Sequence, residues 1–353
     1  RHLNAPALIQ AQTDGTTPFR LNLHIGDVGH TLVVGPTGAG KSVLLSLLAL
    51  QWKRYEGGQV FLFDKGRSAR AATLCMGGAH IDLGSSNAPS TLTGLSLMLQ
   101  DDTLKSALHP FTLEGPHGRL LDADHESLSL ADTVTFEMEE LMHAKGAVAP
   151  VITYLFHRLE ARFDGRPTLL ILDEAWLFLN DPMFAARIRE WLKTLRKKNV
   201  SVVFATQSLA DIANSSIAPA LVESCPTRIF LPNERAQEPQ SRETYQRFGL
   251  NARQIELISR ATPKRDYYYQ SPLGARVFDL GLGPIALSVC GASSPEDQAR
   301  MDRIWAETEG DGFAACWLIE KRLPWAAELL TRWPGHVAEA ADPISRVHAI
   351  AAE

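Results

Sequence analysis

The chain of 353 residues carries 35 Lys plus Arg against 40 Asp plus Glu, a net charge of −5, with 45% hydrophobic and 21% charged residues. This is ordinary globular usage, which excludes a disordered chain, a coiled coil and a collagen-like repeat. A global basic excess that would grip nucleic acid is absent, although a local basic stripe is still allowed. No apolar run reaches the 18 residues of a membrane span, and no signal peptide or lipid-anchor motif occurs. At roughly 150 residues per domain, the length suits about two domains, or one domain with an insertion.

Cys75, Cys225, Cys290 and Cys316 are too far apart in sequence for a zinc site or a redox pair, and four thiols suit a reducing cytosol. The first residue is Arg1 rather than Met, which reads as a piece of a longer protein.

In chain order, His30-Thr31-Leu32-Val33-Val34 reads as a short buried strand. Gly35-Pro36-Thr37-Gly38-Ala39-Gly40-Lys41-Ser42 follows and fits G-x-x-x-x-G-K-[ST] at every position. Val43–Leu50 then reads as a helix apolar on nearly all sides. Strand, glycine loop and buried helix together are the context of a phosphate-binding loop. Gly38 and Gly40 allow the backbone close to a phosphate, and the amides of Gly38 through Ser42 point inward at a helix N-terminus. Gly35 through Val43 are therefore the candidate nucleotide-binding residues. Lys41 is expected to reach the β- and γ-phosphates, and Ser42 to ligate Mg²⁺.

Gln59–Asp64 and Ala79–Leu83 are further strands, so strand, loop, helix, strand marks a parallel α/β sheet. The stretch 88–165 is rich in helical pattern. It reads as a mostly helical insertion, with Thr133–Glu137 as a core strand inside it and Ile152, Leu155, Phe156, Leu159 and Phe163 on one helical face. Thr168–Leu172 is a continuous apolar run ending in Asp173 and Glu174, as expected of a strand buried on both faces. Carboxyl ends of parallel strands carry ligands. Asp173 is thus the candidate Mg²⁺ residue and Glu174 the candidate that orients or deprotonates water. Asp181 is a candidate N-cap with Pro182 at the first helical position, and Ile188, Trp191, Leu192 and Leu195 form the apolar face of that helix.

Arg196-Lys197-Lys198-Asn199 ends the helix. Two readings stand: cations favoured at a helix C-terminus, which spacing alone favours, or an arginine finger reaching a neighbour's nucleotide. Val200–Thr206 is another buried strand, followed by Gln207. Gln207 either positions water and senses phosphate or starts a helix without touching a ligand. Helical signals then cover 208–223, a strand covers Arg228–Leu231, and 239–260 is helical with a break at Gly249-Leu250-Asn251. Arg265–Gln270 and Arg276–Leu280 flank Ser271–Gly274 as a hairpin, where strand pairing outweighs base stacking for Tyr267, Tyr268 and Tyr269. Ser294 caps a tail of helices at 295–309 and 312–332. The division is 1–87 and 166–292 as two segments of one core, 88–165 as the insertion, and 293–353 as a helical tail.

Gly29-His30-Thr31, Phe63-Asp64-Lys65-Gly66, Phe136–Met142, Leu172-Asp173-Glu174-Ala175-Trp176, Ala205-Thr206-Gln207-Ser208, Phe248-Gly249-Leu250-Asn251 and the Tyr-rich hairpin with Gly274 resemble the VirB/TrbE/CagE family of type IV secretion and conjugation ATPases, on its TrbE-like branch. The resemblance covers most of 20–290. It implies a RecA-like P-loop NTPase, an α/β fold with a largely parallel central sheet flanked by helices, forming the C-terminal motor of a longer protein. It further implies ATP and Mg²⁺ as cofactors and a place at the cytoplasmic face of the bacterial inner membrane. Inner-membrane channel proteins and companion ATPases would be its partners, in a homo-oligomer taken to be a hexamer. By this analogy Arg196 becomes the favoured finger in trans, with Arg189 the second choice. Two alternatives stand beside it. A DNA-translocating motor shares the motifs, but the acidic balance weighs against it. A nucleotide-gated assembly platform without turnover is opposed by the intact Asp173-Glu174 pair. A transporter ATPase is disfavoured because Gly57-Gly58-Gln59 lacks a preceding Leu-Ser. Glu137, Glu139 and Glu140 carry no role at this level.

Overall fold

The computed structural model describes residues 6–15, 17–83, 92–122, 131–175, 182–213 and 215–332. Two short strands, β1 (Ile9–Ala11) and β2 (Phe19–Leu21), pair antiparallel at the start. The main sheet has nine strands: β3 (Thr31–Val34), β4 (Gln59–Asp64), β5 (Ala79–Asp82), β6 (Thr133–Glu137), β7 (Thr168–Leu172), β8 (Val200–Thr206), β9 (Thr227–Phe230), β10 (Asp266–Ser271) and β11 (Gly274–Asp279). Their order is β11-β10-β9-β3-β8-β7-β4-β6-β5. Every pair from β9 through β5 is parallel, and β10 and β11 close one side antiparallel.

Residue alternation explains why the middle strands read as unbroken apolar runs. On β7, Leu170 and Leu172 face one layer, with Phe61, Phe63, Val134 and Phe136, under the helices Lys145–Glu160 and Pro182–Thr194. Leu169 and Ile171 face the other layer, with Val33, Val60 and Leu62, under the helix Lys41–Trp52. A central parallel strand buries both faces, so period-two polarity disappears. The helix Lys41–Trp52 buries Leu44, Leu45, Leu47, Leu48, Ala49 and Trp52, which matches its all-round apolar sequence. The three tyrosines follow the same pleat: Tyr268 packs in the first layer, Tyr267 and Tyr269 in the second, and all are buried. They are core side chains of a strand rather than a base platform.

Within 88–165, helices Leu92–Met98, Asp102–Leu108 and Gly118–Leu121 precede β6, which lies between β4 and β5. The helix Lys145–Glu160 follows and packs Ile152, Leu155, Phe156 and Leu159 onto the sheet. The single helix expected over 312–332 is instead two, Phe313–Glu320 and Pro324–Arg332. Pro324 has no N–H to continue the ladder and its ring clashes with the preceding turn, while Arg322 turns left-handed at φ 61°. Helical signals at 208–223 likewise resolve into Leu209–Ala213 and Ala218–Ser224. The tail docks on the helix Arg70–Cys75, where Ala71, Ala72 and Leu74 meet Met301, Ile304, Phe313 and Trp317. Asp181 and Trp176 lie outside the described residues. Among the described residues, no helix is long and apolar enough to cross a membrane.

Candidate nucleotide-binding site

The glycine loop joins β3 to the helix Lys41–Trp52, and each fixed position in it has a physical reason. The Gly35 N–H donates to the Thr206 carbonyl at 3.1 Å, tying the loop to the end of β8. A Cβ on Gly35 would lie 2.4 Å from the Leu231 Cβ, so the first glycine is demanded by packing. Gly40 caps the helix at φ 103°, and its Cβ would meet the Tyr267 hydroxyl at 2.9 Å and the Lys264 Cα at 3.2 Å. That crowding exposes a brace invisible in the motif. The Lys264 N–H donates to the Ala39 carbonyl at 3.0 Å, and the Tyr267 hydroxyl donates to the Gly40 carbonyl at 3.4 Å. Ala39 is buried, Pro36, Ser42 and Val43 are half-buried, and Thr37 and Gly38 are exposed at the loop's crest.

Beyond β7 the chain turns sharply. Glu174 adopts a left-handed backbone at φ 52°, a conformation that costs a side-chain-bearing residue about 1–3 kcal/mol and persists when its surroundings over-determine it. Here the Asp173 N–H donates to the Phe63 carbonyl at 3.1 Å and the Ala175 N–H to the Ala205 carbonyl at 2.8 Å. The Glu174 N–H donates to Asp173 Oδ1 at 2.9 Å.

These elements bring five of the expected side chains together. Lys41 Nζ lies 2.8 Å from Asp173 Oδ1 and 2.7 Å from Glu174 Oε1, with all three groups buried. Gln207 Nε2 donates to Glu174 Oε1 at 2.6 Å, and the Thr37 hydroxyl donates to Gln207 Oε1 at 2.6 Å. Burial holds the Asp173 carboxyl above the ordinary carboxylate range, against the pull of Lys41. Among the described residues, no group of three or more His, Cys, Asp and Glu is placed to hold a metal ion. The Ser42 hydroxyl and the Asp173 carboxylate are nonetheless hard oxygen donors. They suit a cation such as Mg²⁺ that keeps waters and shares phosphate oxygens.

Arg196 is not part of this cluster. It sits in the tight turn Leu195–Lys198 ahead of β8, 3.7 Å from the Asp27 carboxylate and half-exposed. Gln207 follows the other end of that strand. Seven residues at roughly 3.3 Å each put the two ends about 20 Å apart. Arg189 donates to the Ser216 carbonyl at 2.9 Å, also away from Lys41.

A second acidic group adjoins the site. Glu137 accepts from the backbone N–H groups of Gly66 at 3.1 Å, Arg67 at 2.5 Å and Glu139 at 2.9 Å. Asp64 accepts from the Ser68 hydroxyl at 2.7 Å and the Ala69 N–H at 2.8 Å. Burial pushes the Asp64 carboxyl up to about 7, and the Glu137 and Asp173 carboxylates add to the rise. Burial raises Glu137 as well. The loop after β4 is therefore moored on two buried acids. Glu139 and Glu140 stand exposed in the first turn of the helix Glu139–His143, where the helix dipole favours them.

The family model of the TraG P-loop domain matches residues 99–268. That span contains Asp173, Glu174 and Gln207, and begins after the glycine loop. A probable conjugal transfer protein TrbE of Sinorhizobium fredii is 45% identical, over 87% of this chain and 55% of its own length. The conjugal transfer protein TrbE of Rhizobium radiobacter is 44% identical, over 92% of this chain and 47% of its own. The chain is thus similar over most of its length to TrbE conjugal transfer proteins. The type IV secretion system protein VirB4 of Bartonella quintana is 28% identical over 71% of the chain. The chain spans about half the length of the curated TrbE relatives it matches. Among solved structures, VirB4 of Thermoanaerobacter pseudethanolicus aligns at TM-score 0.63 with 17% identity, covering 80% of this chain and 99% of that one. The plasmid coupling protein TrwB, solved with ADP and Mg²⁺, aligns at TM-score 0.50 with 16% identity, covering 72% of this chain and 86% of that one. At such identities the likeness speaks for the fold, that of a P-loop NTPase. In this chain the glycine loop, the acids after β7 and Gln207 occupy one end of the sheet.

Proposed function

We propose that the chain is a Mg²⁺-dependent ATP-hydrolysing motor domain that energises a type IV secretion or conjugation machine, for pilus assembly and substrate transfer across a bacterial envelope. The observation that carries this reading is the convergence of Lys41, Asp173, Glu174 and Gln207, drawn from three separate loops, on one point beside the glycine loop. A nucleotide-binding platform without turnover has no need of a second acid held by a Gln amide. In this reading the loop amides from Gly38 to Ser42 bind the phosphates. The terminal phosphates compete with two carboxylates for the Lys41 ammonium. Once the phosphates draw Lys41 away, Glu174 accepts a proton from water, with Gln207 fixing its orientation. Ser42 and Asp173 are the residues that would hold Mg²⁺, which neutralises phosphoryl charge when bound. Arg196, remote from its own chain's Lys41, serves a neighbouring copy in a homo-oligomeric ring, for which a hexamer is the expectation. Inner-membrane channel proteins and companion ATPases at the cytoplasmic membrane face are the proposed partners.

The test is phosphate release from ATP and Mg²⁺ by the wild-type chain and by Glu174→Gln, which keeps Oε1 as an acceptor. The variant should lose turnover about a hundredfold or more while retaining ADP affinity. Equal phosphate release by the two proteins would overturn the assignment.

A further inference from the structure

We propose that Thr37 is a positioning residue for hydrolysis: its hydroxyl fixes the amide of Gln207, which in turn orients Glu174. This rests on the hydrolysis reading above. Thr37 occupies a variable position of the phosphate-loop pattern, where the motif asks nothing of the side chain. Its partner lies 170 residues away, across a bond of 2.6 Å.

The chemistry of the amide gives that bond its direction. An ionised carboxylate accepts and never donates, so Gln207 must turn its NH₂ toward Glu174. Its carbonyl oxygen then points away and needs a donor, and the Thr37 hydroxyl supplies one. The terminal amide torsion is broad and two-fold, so the backbone does little to choose between the two orientations. Gln207 is exposed, and the structure grips its side chain at both ends, by Thr37 and by Glu174. Glu174 Oε1 accepts from Lys41 as well as from Gln207. A phosphate that draws Lys41 away leaves the Gln207 bond to Oε1 in place, so what holds Gln207 bears on the orientation of the acid. Because Thr37 belongs to the phosphate loop, any shift of that loop on binding nucleotide passes directly to the group that aims the water-activating acid.

The experiment is a double-mutant cycle on Thr37→Val and Gln207→Ala, with ADP affinity measured alongside turnover. Thr37→Val should lower kcat about five- to tenfold, the factor expected from roughly 1 kcal/mol of lost orientation, with ADP affinity kept. Thr37→Ser should restore turnover, and Thr37→Val should cost nothing further in the Gln207→Ala background. An equal loss in both backgrounds, or ADP binding weakened as much as kcat, would overturn the proposal, since either would mark a role in shaping the phosphate loop. Glu174→Gln, run in parallel, separates the two readings. If it matches wild type, the hydrolysis assignment fails. The contact is then judged by the same cycle on urea midpoints of the nucleotide-free protein, where coupling supports it and additivity overturns it.

Discussion

Lys41 is held by two buried carboxylates, so its removal acts on stability as well as on the proposed phosphate contact. Lys41→Ala takes away the ammonium that both buried acids share, at about 3–5 kcal/mol. A lower urea midpoint than that of Glu174→Gln checks this, and equal midpoints would refute it. Proton linkage adds two effects of opposite sign. Burial holds the His30 imidazole down to about 4, and its Nδ1 accepts from the Val202 N–H. Between about 4 and 6.5 the unfolded chain binds a proton that the native chain refuses, so this group withdraws stability as pH falls through that window. His80, also lowered to about 4 by burial, acts in the same direction. Asp64, raised to about 7, works the other way: the native chain keeps its proton between about 4 and 7, so stability is lost as pH rises from about 4 to about 7 and levels off above that. Asp64→Asn is therefore expected to remove the part of the decline in unfolding free energy that sets in between pH 4 and 7. An unchanged pH profile would sink that account. The phosphate-loop residues and the two acids were legible in sequence because phosphate chemistry dictates residues at fixed short spacings. The Thr37–Gln207 contact and the mooring by Glu137 were not, since each depends on a partner brought near only by the folded sheet.

Among the elements, the loop after β4 shows how a buried acid can act as a backbone anchor. Glu137 accepts three N–H groups, and Gln298 of the tail donates to the Arg67 carbonyl at 3.2 Å. Glu137→Gln swaps one acceptor for a donor facing an N–H, at a cost of about 1–3 kcal/mol. Faster hydrogen exchange at Gly66 and Arg67 is the expected readout, and unchanged protection there would refute the anchor. The long elements were readable: β7 and β8 are apolar on both faces, and the break at Gly249-Leu250-Asn251 separates the helices Pro239–Arg247 and Ala252–Arg260 as expected. The three-residue strands β1 and β2 were not, because three residues cannot display a period. The split before Pro324 was written in the sequence, and the apolar pattern on either side masked it.

At the scale of the whole molecule, the separation of Arg196 from Lys41 makes a prediction about assembly. If Arg196 completes a neighbour's site, Arg196→Ala and Glu174→Gln each abolish turnover alone, yet their mixture regains some of it. One copy then supplies an intact acid and the other an intact arginine. No recovery in mixtures, with turnover per molecule independent of concentration, would rule that arrangement out.

The brace on the glycine loop has a mechanical consequence. β10 is a strand of six residues, about 20 Å long. Next to one end, Lys264 and Tyr267 grip the carbonyls of Ala39 and Gly40. Beyond the other, the hairpin carries Leu273, 84% exposed. Paired to β9 on one side and β11 on the other, such a strand resists bending. A force applied at the Leu273 tip would travel along a stiff lever and arrive at the glycine loop, so load on the hairpin and the shape of the proposed phosphate cradle are linked through a single strand.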